Sequence, residues 1–255
     1  MKNKNRLKKA FIFTLVLLPV ALVGVYFAVR MSFASMESSM LDEVIAQIGS
    51  REAAMALSMI QPVILTLVFG FFGYIFSDKI GLMQPFRLEG KKLLITLAAS
   101  LIGGAVFSLD AWTFAKWIPE LSGSYDAAGS FDAVTWIGSI LYGGVIEEVW
   151  MRLFLMSLLS FLAWKIFFRK RDAVPTGVLI TANTIAAILF AAGHLPSTAL
   201  TFGTLTPMLI LRCFLMNGAF GLLFGRLYRK YGIQYAMLSH MLFHIVARTI
   251  WLIAF

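Results

Sequence analysis

The sequence predicts an all-α fold, a polytopic transmembrane helix bundle of about seven or eight spans, and three observations predict it. Of the 255 residues, 60% are hydrophobic and 14% are charged, against roughly 25% charged in soluble domains. Mean hydropathy is +0.83. Apolar runs of about 20 residues, the length that crosses a bilayer core, recur along the chain. The expected organisation is a single membrane domain over residues 1–255, with N-terminal spans within 10–117 and a second set within 134–255. The net charge of +9, from 22 basic and 13 acidic residues, reads as basic short loops and attraction to the lipid bilayer, not as nucleic-acid binding. Cys213 is the single cysteine, which excludes an intrachain disulfide and a multi-cysteine metal site.

The first span is expected over 10–29, after a basic leader with Lys2, Lys4, Arg6, Lys8 and Lys9. Its apolar part is too long for a typical signal peptide, so it reads as an uncleaved helix. Residues 31–50 place Met36, Met40, Leu41, Val44 and Ile48 at helical spacing among acids, the pattern of a short amphipathic surface helix. Spans two and three are expected over 54–77 and 93–117, joined by a loop with Lys79, Arg87, Lys91 and Lys92. The 118–132 loop carries acids and no basic residue. The apolar stretch 134–168 would make a helix of about 50 Å, too long for one span, and a break is expected near Gly143-Gly144. Span five is expected over 176–194, stopped by Pro196; span six over 205–227; span seven over 233–254. Basic clusters fall in alternate connections. This implies an integral cell-membrane, multi-pass protein with a cytoplasmic N-terminus and, for seven spans, an outward C-terminus.

The chemistry concentrates in the fourth stretch. Glu147, Glu148 and Arg152 lie within six residues of an apolar run, and a charge at mid-membrane costs at least ~2.5 kcal/mol on insertion scales. At i and i+4, Glu148 and Arg152 share a helix face, with the acid on the favoured N-terminal side. Glu147 is turned about 100° away and keeps no such partner. The simplest division is one structural pair, Glu148 with Arg152, and one working carboxylate, Glu147. Two further motifs follow: Phe190-x-x-x-His194, and His240-x-x-x-His244, whose imidazoles point the same way. One acid with imidazoles inside a membrane serves proton relay, metal binding or activation of a water. The structural alternatives are a buried ion network at Glu147, a helix-end histidine at 194 and interhelical hydrogen bonding at 240 and 244. Asp110, Arg212 and Arg248 are also intramembrane, and ion pairs are expected among them, for example Asp110 with Arg248. Asn183 and Asn217 are expected to make interhelical hydrogen bonds, and Gly218, Gly221 and Gly225 to permit close helix packing.

E-E-x-x-x-R, then F-x-x-x-H, then H-x-x-x-(N/D or similar), in this order on successive apolar helices, resembles the CPBP family. These are the CAAX-protease and bacteriocin-processing intramembrane endopeptidases, also called Abi. The resemblance covers 134 to the C-terminus. It implies an intramembrane endopeptidase acting on a peptide or membrane-associated protein substrate. Glu147 and His194 would hold and deprotonate the attacking water. Glu148 and Arg152 would support them, and His240 would stabilise the oxyanion. The last position is often asparagine in the family and here is His244, which keeps the oxyanion role if it presents an N–H. The pattern fixes no cofactor. A divalent metal such as zinc, if present, would take Glu147, His194, His240 and His244 as ligands. In the seven-span arrangement Glu147 and His194 lie towards the outer side and His240 nearer the inner side. The rival reading is a non-enzymatic membrane protein, either a transporter with a Glu/His proton relay or a partner-binding subunit.

Overall fold

In a bilayer every backbone amide must find its partner inside the protein, so long apolar runs fold as helices. The computed structural model describes residues 2–121 and 123–255. Among these, six helical segments are long and apolar enough to cross a membrane: Lys4–Ala34, Arg51–Lys79, Gly90–Trp117, Thr176–Phe202, Pro207–Tyr231 and Ile233–Ala254. No strand occurs among the described residues. In chain order the helices are α1 (Lys2–Ala34), α2 (Ser38–Ile48), α3 (Arg51–Lys79), α4 (Gly90–Ser108) and the short α5 (Phe114–Trp117). Next come α6 (Ala133–Gly138) and α7 (Ser157–Phe167), then α8 (Thr176–Gly193), α9 (Leu195–Phe202), α10 (Pro207–Cys213), α11 (Ala219–Tyr231) and α12 (Ile233–Ala254).

The expected break at Gly143-Gly144 does not occur. Between α6 and α7 the backbone stays helical but widens into π turns over Ser139–Glu147 and Val149–Met156. One rod therefore spans 133–167 and supplies the seventh long apolar run, the one holding the three charges. Glycine pairs break helices in water because solvent takes the freed amides; in a bundle, the two glycines instead let a neighbour approach. Three other boundaries also differ. The first helix runs from Lys2 to Ala34, well beyond 10–29. Span six extends to Tyr231. Pro196 does not end the fifth span: it sits in the first turn of α9, where its missing N–H costs nothing.

The core lies where the rod meets its neighbours. α1 packs on α3, α12 on α4 and on the 139–147 turns, and α3 on the 149–156 turns. α11 contacts both α8 and α12. Two crossings need glycine. A Cβ on Gly73 would lie 2.9 Å from the Leu153 carbonyl carbon, and one on Gly104 would lie 2.8 Å from the Phe243 carbonyl oxygen. Gly221 and Gly225 of α11 do admit α8 closely, against Ala187 and Asn183 respectively, whereas Gly218 has no neighbour nearer than 3.8 Å. Hydroxyls and amides tie helices together where a hydrophobic drive is absent. Tyr228 joins Ser157 (2.6 Å) and Ser77 (2.7 Å), Ser100 meets Ser239 at 3.1 Å, and Trp150 donates to Thr66 at 2.9 Å. The Asn183 amide donates to the Leu222 carbonyl at 3.0 Å, across helices as expected, but Asn217 donates within its own helix to Cys213.

An ion pair among Asp110, Arg212 and Arg248 does form, but it is Asp110–Arg212 and not Asp110–Arg248. Asp110, at the end of α4, accepts from Arg212 of α10 at 2.9 Å and from the Tyr125 hydroxyl. Arg248 instead faces the rod and donates to the Ser139 hydroxyl at 2.6 and 3.1 Å. The amphipathic helix expected within 31–50 is α2: none of its residues is buried, and Leu41 and Val44 pack against Val25, Val29 and Phe33. Asp132 caps the start of the rod, accepting from the Val134 and Thr135 amides. The Thr135 hydroxyl, which also donates to it, holds its carboxyl below the usual range. The cap's contribution is therefore full at neutral pH, declines as pH falls from the ordinary carboxylate value toward the lowered one, and is gone below it. Replacing Gly104 with Ala should lower the melting temperature of the detergent-solubilised protein, at a cost of about 1–3 kcal/mol from overpacking. Gly177→Ala, where no atom lies within 4 Å of the added Cβ, should leave it unchanged or raise it slightly.

Candidate active site

The site is built on the wide turns of the rod. Glu147 closes the first and Glu148 lies between the two. Glu148 and Arg152 form the ion pair that their spacing predicts, with Arg152 Nη1 at 2.9 Å from Glu148 Oε1 and both side chains buried. Arg152 Nη2 donates to the Gly221 carbonyl of α11 at 3.1 Å. The guanidinium lies over the Phe190 ring at 4.7 Å and near Phe224 at 5.6 Å. These rings give a desolvated cation an electrostatic partner where water is absent.

Glu148 Oε1 also accepts from His240 Nδ1 at 2.9 Å. Phe224 stacks on His240, ring centroids 4.2 Å apart, and so fixes the imidazole plane. One turn further along α12, His244 Nε2 lies 3.1 Å from His240 Nε2. Gly143 makes this possible: a Cβ there would stand 2.8 Å from His244 Nε2. Gly144 likewise lets Met241 of α12 approach, its backbone nitrogen 3.0 Å from where a Cβ would be.

Glu147 points away from this network. Its Oε1 is 3.7 Å from His194 Nε2, and both side chains are partly exposed, at 18% and 30%. His194 Nδ1 meets the Phe190 carbonyl at 2.7 Å. A carbonyl only accepts, so Nδ1 carries the hydrogen, and in its neutral form the ring turns a bare Nε2 toward Glu147. Glu147, His194, His240 and His244 all line one cavity of about 1480 Å³, which reaches out to Arg30, Arg51 and Asp132.

The depth mismatch expected between Glu147 and His240 is thereby corrected. The unbroken rod puts the two glutamates near its middle, and His240 and His244 lie near the middle of α12. The six candidate residues form two groups: Glu147 with His194, and Arg152, Glu148, His240 and His244 in a chain. The metal expectation fares differently. Glu148 takes up His240, and His240 takes up His244, so no three acids, imidazoles or thiols among the described residues converge as a ligand set. The donors present do not fit a metal in this arrangement.

Sequence reasoning missed Phe224 and Gly143. Phe224 carried no signal, lying 16 positions before His240. Gly143 was read as a breaker although it serves as a gap. Phe190 does more than open the Phe190-x-x-x-His194 motif: its carbonyl orients His194 and its ring faces Arg152.

Fold and site together define an integral membrane helix bundle with an ionisable, water-accessible cavity between its helices. Residues 129–246, just under half of the chain, match the family described as Type II CAAX prenyl endopeptidase Rce1-like. Over these residues the chain is similar to a CAAX-type membrane protease family, in agreement with its ordered motifs. No curated relative and no solved structure matches the chain.

Glu148 Oε2 already lacks a hydrogen-bond partner among the described residues. Arg152→Ala should therefore strand a buried carboxylate and destabilise the protein by about 3–5 kcal/mol. The double variant Glu148→Leu, Arg152→Met should recover much of that loss, as read from thermal unfolding in detergent.

Proposed function

We propose that this protein is an intramembrane endopeptidase that hydrolyses a peptide bond with a water activated by Glu147 and His194. The observation that carries this reading is the 3.7 Å gap between Glu147 Oε1 and His194 Nε2. It is longer than a hydrogen bond and short enough for one water to bridge. Both flanking atoms are acceptors. A water between them donates one hydrogen to each, and its lone pairs are left facing the cavity. That is the orientation a nucleophile needs, prepared before substrate arrives.

Attack forms the C–O bond as Glu147 takes a proton from the water. The peptide carbonyl becomes an oxyanion, to be met by donors from the His240–His244 wall. Collapse breaks the C–N bond, and Glu147 returns the proton to the leaving nitrogen. Arg152 and Glu148 touch no substrate here; they hold His240 in place. The substrate is a peptide or a membrane-associated protein segment, which the lipid-embedded cavity can receive in extended form.

Orientation follows from charge. Arg6 pairs with Asp78, so the start of α1 and the end of α3 share one face with the basic 169–171 and 226–230 segments. Short basic connections favour the cytoplasm. The cavity mouth, near Arg30, Arg51 and Asp132, then opens on the opposite side. A cysteine placed at Ser124 in a chain with Cys213→Ser should react with an impermeant maleimide added to intact cells; labelling only after lysis would reverse this orientation.

Cleavage of a quenched fluorescent farnesylated CAAX peptide by the purified chain tests the chemistry. Glu147→Gln and His194→Ala should each lower kcat by roughly 10²–10⁴-fold, with melting temperatures close to the parent. If both variants cleave at the parental rate, the water-activation reading is wrong; if the parent cleaves no peptide, the proton-relay transporter becomes the stronger account.

A further inference from the structure

The hydrogen-bond chain that ends at His244 has a donor count of its own. Glu148, paired with Arg152, is a carboxylate, which accepts and does not donate. His240 Nδ1, 2.9 Å from it, therefore carries a hydrogen. A neutral His240 then has a bare Nε2, and that lone pair faces His244 Nε2 at 3.1 Å. His244 must donate its Nε2–H there, which leaves its own Nδ1 bare. Every N–H of the neutral pair is consumed inside the wall, and none remains for a group in the cavity.

An oxyanion needs a donor. An asparagine at 244 would carry amide hydrogens at any pH; the histidine present does not have one to spare while the pair is neutral. Swinging the ring to free its Nε2–H is opposed by its seat, since it is wedged between His240 and the Gly143 backbone.

We infer that the His240–His244 pair is a proton-loaded oxyanion donor: it takes one proton from solvent before the chemistry and presents the resulting N–H to the tetrahedral intermediate. This rests on the peptidase reading above. Water attack moves the carbonyl π pair to oxygen, and the loaded N–H holds that charge while Glu147 carries the proton from water. When the C–N bond breaks, the nitrogen leaves with the Glu147 proton and the carbonyl re-forms. The pair ends with the proton it began with, so its loading is a condition for turnover and not a reactant. The charges facing the pair are Arg152 and Glu148 on the rod, His194 on α8, and Arg248 one turn along α12 with Asp132 beyond it. In a family whose last motif often ends in an amide, His244 thus makes hydrolysis depend on protonation of the wall itself.

The experiment is the pH profile of kcat for the full chain and for His244→Asn on the farnesylated CAAX peptide. The parent should lose rate roughly tenfold per pH unit on the basic side, and His244→Asn should lack that limb. A parent with no basic limb, or a His244→Asn profile with the limb at the same midpoint, overturns the inference. If His244→Asn does not fold, as judged by thermal unfolding, the unmodified chain decides. Calorimetry in two buffers of different ionisation heat should show about one proton taken up when a peptide phosphonate, a tetrahedral anion, binds on the basic side. Uptake of none overturns it. A parent that cleaves no peptide at any pH is a different failure: it removes the peptidase reading, and this inference with it.

Discussion

The burial of one ion pair governs the arrangement of this bundle. Glu148 and Arg152 are almost completely removed from solvent, and such charges persist in a nonaqueous interior only if surrounding groups complete their coordination. Each neighbouring helix contributes at least one such group. α11 offers a carbonyl at Gly221 and a ring at Phe224, α8 offers the ring of Phe190, and α12 offers His240. The same contacts tie α8, α11 and α12 to the rod. Glu147, one residue earlier, falls outside this enclosure and faces the cavity instead. Adjacent carboxylates thus divide into an enclosed one that organises the helices and one that borders the cavity.

The remainder of the bundle follows the physics of its solvent. Its outer surface displays large apolar side chains such as Phe11, Val16, Leu94, Ile102 and Ile188, which in water would drive aggregation and in lipid are simply solvated. Because lipid supplies no hydrophobic force between helices, cohesion comes from close contact and from hydroxyl bonds such as Tyr228 with Ser77 and Ser157. A packed interior of this kind can enclose a cavity of about 1480 Å³ because the cavity is lined with ionisable groups and opens toward the aqueous face.

Much of this was legible in the chain. Seven apolar runs were visible by length and composition, and α12 was bounded as found. The i, i+4 spacing identified the Glu148–Arg152 pair, and the ordered motifs identified the four cavity-lining residues. What was not legible depends on distance in space. A run of 35 residues reads as two helices when length alone is weighed, and nothing in its periodicity distinguishes a break from a widened turn. Asp110 was paired with the wrong arginine because facing directions depend on how α4, α10 and α12 are rotated. The same rotation hid the Glu148–His240 bond, which joins residues 92 positions apart.

The contact between Gly143 and His244 also constrains how this sequence can change. A ring at 244 occupies the space that any side chain at 143 would need. While histidine remains at 244, position 143 has no alternative to hydrogen. Once a shorter side chain stands at 244, alanine at 143 becomes admissible, and a subsequent return to histidine is blocked. The order in which the two positions mutate is therefore not interchangeable, and the wall of the site can pass from imidazole to amide more readily than it can pass back.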